Sequence, residues 1–254
     1  MSFLSATLAR PDGTTIAYDR AEGRSPTVVF LHGLNSDRCG TKAEALAAHC
    51  RTRGLGFVRF DMFGHGQSSG RFEDGTISRW VDDTLAVIDG LTAGPVVLVG
   101  SSMGGWVGVR AAMARPARVA GVFGIAAAPD FTEELMWAQF SDAQRNALMR
   151  EGIVELPSDY DDRPYRISRA LIEDGRRNLV LRAPVPIACP VCLLHGQADA
   201  SVPWLVSLKL AQQIVGDDVE VVLIKGGDHR LSRPQDLQRL CALVDGLLDR
   251  VASA

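Results

Sequence analysis

Val96-Val97-Leu98-Val99-Gly100-Ser101-Ser102-Met103-Gly104 carries the most continuous apolar run of the chain straight into a turn. Four apolar residues rich in β-branching read as a strand buried on both faces, and the stretch from about Met103 to Met113 reads as a helix. A Gly-x-Ser-x-Gly between strand and helix is the setting of a nucleophile elbow. The sharp turn crowds the positions two before and two after its centre, so both favour very small residues. Centring on Ser102 places Gly100 and Gly104 there, whereas centring on Ser101 places Val99 and Met103. Ser102 is the candidate nucleophile.

Working outward, short β-branched runs alternate with stretches of helical period, the pattern of a mostly parallel sheet with helices on both faces. Phe3 to Leu8 and Thr15 to Tyr18 predict an antiparallel opening pair. Strands follow at Val28 to Leu31, Phe57 to Phe60, Val96 to Val99, Val119 to Ile125, Val191 to Leu194 and Val219 to Ile224. Helices are predicted over Thr41 to Arg53, Ile77 to Leu91, Met103 to Met113, between the last two strands, and from Pro234 to Arg250. This makes an α/β fold of eight strands. From Pro129 to Pro190 the rhythm stops, and amphipathic pieces (Glu133 to Phe140, Asp142 to Glu151, Ser168 to Asp174) are joined by Pro- and Asp-rich turns. The expected organisation is a core of residues 1–128 and 191–254, with residues 129–190 a small helical cap inserted after the sixth strand.

With 27 Lys and Arg against 30 Asp and Glu, the chain carries a net charge of −3, which argues against a nucleic-acid partner. Hydrophobic residues are 46% and charged residues 22% of 254, enough for a sizeable core and too apolar for disorder. No apolar run approaches the roughly 18 residues that cross a bilayer. The start, Met1 to Gly13, has no basic region followed by an apolar stretch. Five cysteines form no disulfide framework, and Cys189-x-x-Cys192 has no second pair and runs into a strand, so a reduced, cytoplasmic setting is expected.

A serine hydroxyl needs a base, itself oriented by a carboxylate. The strand Val191 to Leu194 ends in His195-Gly196-Gln197-Ala198-Asp199, and the strand Val219 to Ile224 ends in Lys225-Gly226-Gly227-Asp228-His229. Asp199 and His229 therefore belong on loops at the carboxyl edge of the sheet, in the chain order Ser, Asp, His. His32 and His195 precede glycines at strand ends and read as turn supports; His49 falls in a helix and His65 in a Gly-rich loop. Asp228, adjacent to His229, is read as holding its loop. Oxyanion donors are expected at the N–H of Met103, after the nucleophile, and of Leu34, which Gly33 lets turn toward Ser102.

These residues, with the loop Asp61-Met62-Phe63-Gly64-His65-Gly66-Gln67-Ser68, resemble the α/β-hydrolase superfamily across nearly the whole chain. Gly100 to Trp106, Cys189-Pro190-Val191, Leu194-His195-Gly196, Val202-Pro203-Trp204 and Asp228-His229-Arg230 more narrowly resemble the mitochondrial abhydrolase-domain palmitoyl-protein thioesterase and acyl-glucuronide esterase subfamily. In the cap only scattered positions such as Tyr165 and Ile172 are comparable. The resemblance implies a serine esterase or thioesterase working through an acyl-enzyme, with no cofactor and no metal, on a small-molecule or acylated-protein substrate. Carbon–carbon bond hydrolases, perhydrolases and non-catalytic receptors on this fold remain alternatives, whereas dehalogenases and epoxide hydrolases carry Asp where this chain has Ser102. Trp106, Trp137, Phe140 and Trp204, with Met103 and Met136, are candidates for an apolar acyl pocket, against the alternative that they are plain core. The cap arginines Arg163, Arg166, Arg169, Arg176 and Arg177 offer an attraction for an anionic leaving group, against the preferred reading of a solvated helix face.

Overall fold

The structure, a computed structural model, describes residues 3–157 and 164–253. In chain order the elements are β1 (Leu4–Ala9), β2 (Thr15–Ala21), β3 (Arg24–Leu31), α1 (Thr41–Arg53), β4 (Leu55–Phe60), α2 (Ile77–Leu91), β5 (Val96–Ser101), α3 (Met103–Ala114) and β6 (Val119–Ile125). Then come a π-helical turn (Thr132–Trp137), α4 (Asp142–Glu151), β7 (Ile153–Leu156), β8 (Tyr165–Ser168), α5 (Arg169–Arg177), β9 (Val191–Gly196), α6 (Leu205–Gln213), β10 (Val219–Ile224) and α7 (Pro234–Ser253).

Eight strands form one sheet in the order β1-β2-β4-β3-β5-β6-β9-β10. The β1–β2 and β2–β4 pairs are antiparallel; every other pair is parallel. The apolar run that decides the fold shows why the sheet has two covered faces. Successive side chains point to opposite sides of a strand, and Val96 and Leu98 enter the core beneath α2 and α3 while Val97 and Val99 enter the one beneath α1 and α7. All six residues of β5 are buried, as are all six of β9. Local chemistry ends the helices where the sequence places them: Gly54 and Gly152 take the left-handed conformation after α1 and α4, and Ser141 and Gln144 close a capping box at the start of α4.

Topology then selects one place on the rim. From β3 the chain crosses to β4 on one side and later to β5 on the other, so the strand order reverses between β3 and β5. In open α/β sheets, ligands bind at the carboxyl ends of the strands at such a switch point. The loop after β3 and the turn after β5 meet there.

Between β6 and β9 lie the π-helical turn, α4, the two-stranded antiparallel sheet of β7 and β8, and α5. The β7–β8 pair differs from the sequence expectation of helical pieces and turns alone. Four-residue strands are too short to show a period. The Glu133 to Phe140 helix is replaced by the π-helical turn, which presents Met136 to the rim. Arg163 lies outside the described residues.

Candidate active site

Ser102 stands at the turn between β5 and α3 with φ 53° and ψ −118°. A non-glycine residue there stores strain, and the turn is held by Ser102 N–H to the Ile125 carbonyl at 2.9 Å and Ala128 N–H to the Ser102 carbonyl at 3.0 Å. The glycines two positions away are obligatory for space: a Cβ on Gly100 would strike the Gly104 carbonyl, and one on Gly104 the Leu31 carbonyl. The backbone of α3 can therefore lie against the end of β3, and this brings the His32-Gly33-Leu34 loop to Ser102.

Ser102, Asp199 and His229 come together from three separate loops. His229 Nε2 lies 3.1 Å from Ser102 Oγ, and His229 Nδ1 lies 2.7 Å from Asp199 Oδ2. Burial pushes the Asp199 carboxyl up, but hydrogen bonds from His195, His229 and the Val202 N–H outweigh it and hold the group well below the usual carboxylate range. Asp199 is thus an anion facing an imidazole. Asp228 accepts the Leu231 N–H at 2.9 Å and holds its own loop.

Met103 is the first residue of α3, where helix N–H groups have no intrahelical partner. Leu34 lines the same cavity as Ser102, and a Cβ on Gly33 would stand 3.4 Å from the Ser102 Cβ, in ordinary contact. Two histidines hold this loop. His32 Nε2 accepts the Met62 N–H at 3.0 Å and its Nδ1 donates to the Gly33 carbonyl at 2.8 Å. His65 Nε2 accepts the Asn35 N–H at 3.2 Å and its Nδ1 donates to the Phe63 carbonyl at 3.1 Å. Each ring needs one bare nitrogen, so each is neutral. Burial pushes His32 down to about 4; burial and the neighbouring His32 push His65 down to about 3.

A cavity of about 290 Å³ opens at Ser102 and His229. Leu34, Met136 and Tyr165 supply apolar surface, and Lys42, at the start of α1, supplies a cation whose Nζ donates to the Arg230 carbonyl at 2.6 Å. Burial pushes Lys42 down to about 8. Asn35 and Tyr165 also border a second groove that continues outward past Phe72 to Glu155 and Arg166. Among the described residues no three His, Cys, Asp or Glu side chains converge as a metal site.

The aromatic pocket expected from sequence is corrected. Trp106 and Phe140 are buried in the core: Trp106 donates Nε1–H to the Asn178 carbonyl at 3.0 Å and stands edge-on to Phe131, and Phe140 packs on Trp137. Trp137 meets the guanidinium groups of Arg145 and Arg176 at its ring, and Trp204, just before α6, does not line the cavity. Met103 is core, and of that set Met136 alone lines the cavity. The cap arginines are engaged by acids: Arg166 with Glu73, Arg169 with Glu173, Arg176 with Glu133 and Arg177 with Asp174. That is the solvated-face reading. Lys42, Asn35 and the hydrogen bond of His195 to Asp199 had no signal in the sequence, because a lone residue in a loop or first helical turn carries no period; Tyr165 surfaced only through the family resemblance.

A model of the alpha/beta hydrolase family matches residues 28–240. The chain belongs to the alpha/beta hydrolase family. Among relatives, the mitochondrial palmitoyl-protein thioesterase ABHD10 of Bos taurus is 38% identical over 247 residues, covering 97% of this chain and 80% of its own length. Among solved structures, alpha/beta hydrolase domain-containing protein 10 from mouse superposes with a TM-score of 0.90 at 36% identity, covering 98% of this chain and 99% of that one. A putative hydrolase from Agrobacterium vitis S4 superposes with a TM-score of 0.91 at 40% identity, covering 97% and 98%. As an alpha/beta hydrolase the chain is an enzyme of hydrolysis, and both the fold and the subfamily resemblance agree with these relatives. The expected cytoplasmic setting is contradicted: the bovine relative and those of four other mammals are named as mitochondrial.

Proposed function

We propose that this alpha/beta hydrolase is a serine esterase or thioesterase acting on acylated proteins or small acyl esters, with Ser102 as nucleophile, His229 as base and Asp199 as its orienting acid. The observation that carries the reading is the contact of His229 Nε2 with Ser102 Oγ at 3.1 Å, in a ring whose other nitrogen rests on Asp199. With Nδ1–H committed to the carboxylate, Nε2 is the bare nitrogen and faces the hydroxyl, which is the tautomer a general base requires.

Neutral His229 takes the Ser102 proton as Oγ attacks the substrate carbonyl, and negative charge gathers on the carbonyl oxygen. The N–H groups of Leu34 and Met103 stabilise that oxygen. The imidazolium, held by Asp199, returns its proton to the departing alcohol or thiol, leaving an acyl-Ser102 ester. Water then enters, His229 takes its proton, and the acid leaves as Ser102 is restored. The described residues inserted between β6 and β9 act as the cap over this site, with Met136 and Tyr165 facing the acyl group. Relatives named palmitoyl-protein thioesterase support acyl-thioesters among the substrates.

Labelling with a fluorophosphonate probe tests the nucleophile: the wild type becomes covalently modified and Ser102→Ala does not. A panel of p-nitrophenyl esters of rising chain length beside acyl-thioesters then ranks the substrates. A folded protein that never labels and hydrolyses no member of the panel refutes the reading.

A further inference from the structure

Asp199 is held by two imidazoles. His229 Nδ1 lies 2.7 Å from its Oδ2 and His195 Nε2 lies 3.1 Å from the same oxygen, while Oδ1 accepts the Ser201 and Val202 N–H groups at 2.8 Å each. His195 Nε2 also faces the Val202 carbonyl oxygen at 3.1 Å. Both neighbours of that nitrogen are acceptors, so the nitrogen carries a proton and shares it between them. On the far side of the ring, Nδ1 meets Ser207 Oγ of α6 at 2.7 Å, where a neutral ring accepts the hydroxyl proton. Ser207 and His195 are both buried. One chain of hydrogen bonds therefore runs from α6 through β9 and two loops to Ser102.

We propose that His195 is a positioning residue that fixes the Asp199 carboxylate and limits how strongly it draws a proton onto His229. The proposal rests on the serine hydrolase reading above. The charge on Oδ2 is shared between two donors, so it stabilises the His229 imidazolium less than an undivided carboxylate would. Shared in this way, Asp199 stays ionised and its orientation toward His229 Nδ1 is fixed from two sides. The groups around the chain are few. β10 sets apolar Leu223 beside His195, and α6 contributes Ser207. The loop after β10 contributes Asp228, turned to the Leu231 N–H, and Arg230, whose carbonyl meets Lys42 of α1.

The test is the pH profile of kcat/KM. His195→Phe removes one donor, and its acid limb moves to higher pH by about half a unit to one unit, the order expected for one charge-assisted hydrogen bond partly compensated by its neighbours. His195→Gln, whose amide N–H can reach the place of Nε2–H, returns the limb toward the wild type. A folded His195→Phe enzyme with a lower kcat and an unmoved limb overturns the proposal and leaves a structural ring. Because this buried ring can be needed for folding, the wild type carries a second readout. Nitrogen-15 spectra of histidine-labelled protein locate the His195 proton on Nε2 throughout the active pH range; a proton on Nδ1 with Nε2 bare overturns the proposal. A protein unlabelled by fluorophosphonate refutes the hydrolase reading on its own, and an active enzyme with the wrong His195 tautomer refutes this inference alone.

Discussion

The rings of His32 and His65 lie with centroids 4.8 Å apart beneath the loop that carries Leu34, and each accepts a backbone N–H that protonation would turn away. Their proton affinities are pushed below the ordinary histidine value of 6.5, to about 4 and about 3, with burial as the main cause. Between those values and 6.5 the unfolded chain binds protons that the folded chain refuses, so stability rises with pH. The contribution is complete above the unfolded value and is lost as pH falls from about 6.5 toward 4 and then 3. Unfolding free energies from denaturant titrations between pH 7.5 and 4.5 should fall with a slope approaching about 1.4 kcal/mol per pH unit for each ring. His32→Gln, which offers an amide without a proton to gain, should flatten that slope; an unchanged slope in this variant would remove His32 from the account.

Ser102 sits at φ 53°, a conformation that costs a non-glycine residue about 1–3 kcal/mol. Ser102→Gly should release that strain, raising the thermal midpoint while abolishing turnover. Ser102→Ala should abolish turnover equally and gain nothing in stability, because alanine keeps the Cβ. Scanning calorimetry of the two inactive variants side by side decides the point. Equal midpoints would mean that the turn is not strained.

Legibility in the sequence followed the strength of each local signal. Val96 to Val99 and Val191 to Leu194 are buried on both faces and announce themselves as unbroken apolar runs, so the sheet order had only to be found, not the strands. The glycines flanking Ser102 are readable because two backbones collide with any larger residue there. Trp106 and Trp137 were ambiguous for the opposite reason: an aromatic at helical spacing does not say what it packs on, and in the structure Trp106 meets Phe131 while Trp137 meets two guanidinium groups. The second imidazole on Asp199 was hidden because residue spacing carries no record of which ring nitrogen meets which oxygen.

The aromatic correction yields a separable pair of outcomes. Trp106→Phe keeps the packing on Phe131 and leaves the Asn178 carbonyl short of a donor, so unfolding should become easier by about 1–3 kcal/mol. Its preference among ester chain lengths should stay as in the wild type. Met136→Ala, which removes apolar surface from the cavity at Ser102, should instead shift that preference toward bulkier or longer acyl groups with little loss of stability. A chain-length shift in Trp106→Phe would return that ring to the substrate path.

Arg38 joins the buried charges of the core to the loop that carries Leu34. Its guanidinium pairs with Asp61, lies 3.3 Å from Asp19 and donates to the Gln67 side chain at 2.8 Å. Asp61 in turn accepts the N–H of Arg38 itself at 2.8 Å and of Gln67 at 2.9 Å, so one carboxylate ties the loop after β3 to the loop that carries His65. Arg38→Met leaves that buried carboxylate without its cation, a change that costs about 3–5 kcal/mol in comparable buried pairs. Because His65 holds the Asn35 N–H one residue beyond Leu34, kcat should fall together with the unfolding free energy, with KM less affected. Arg59→Met is the control. Arg59 pairs with Glu44 and shares Asp19 with Arg38, while Asp61 keeps Arg38 as its cation, so loss of Arg59 should lower stability and leave the kcat of the folded enzyme near the wild-type value. Equal losses of kcat in the two variants, measured well below their unfolding temperatures, would show that Arg38 supports the fold and not the loop that carries Leu34.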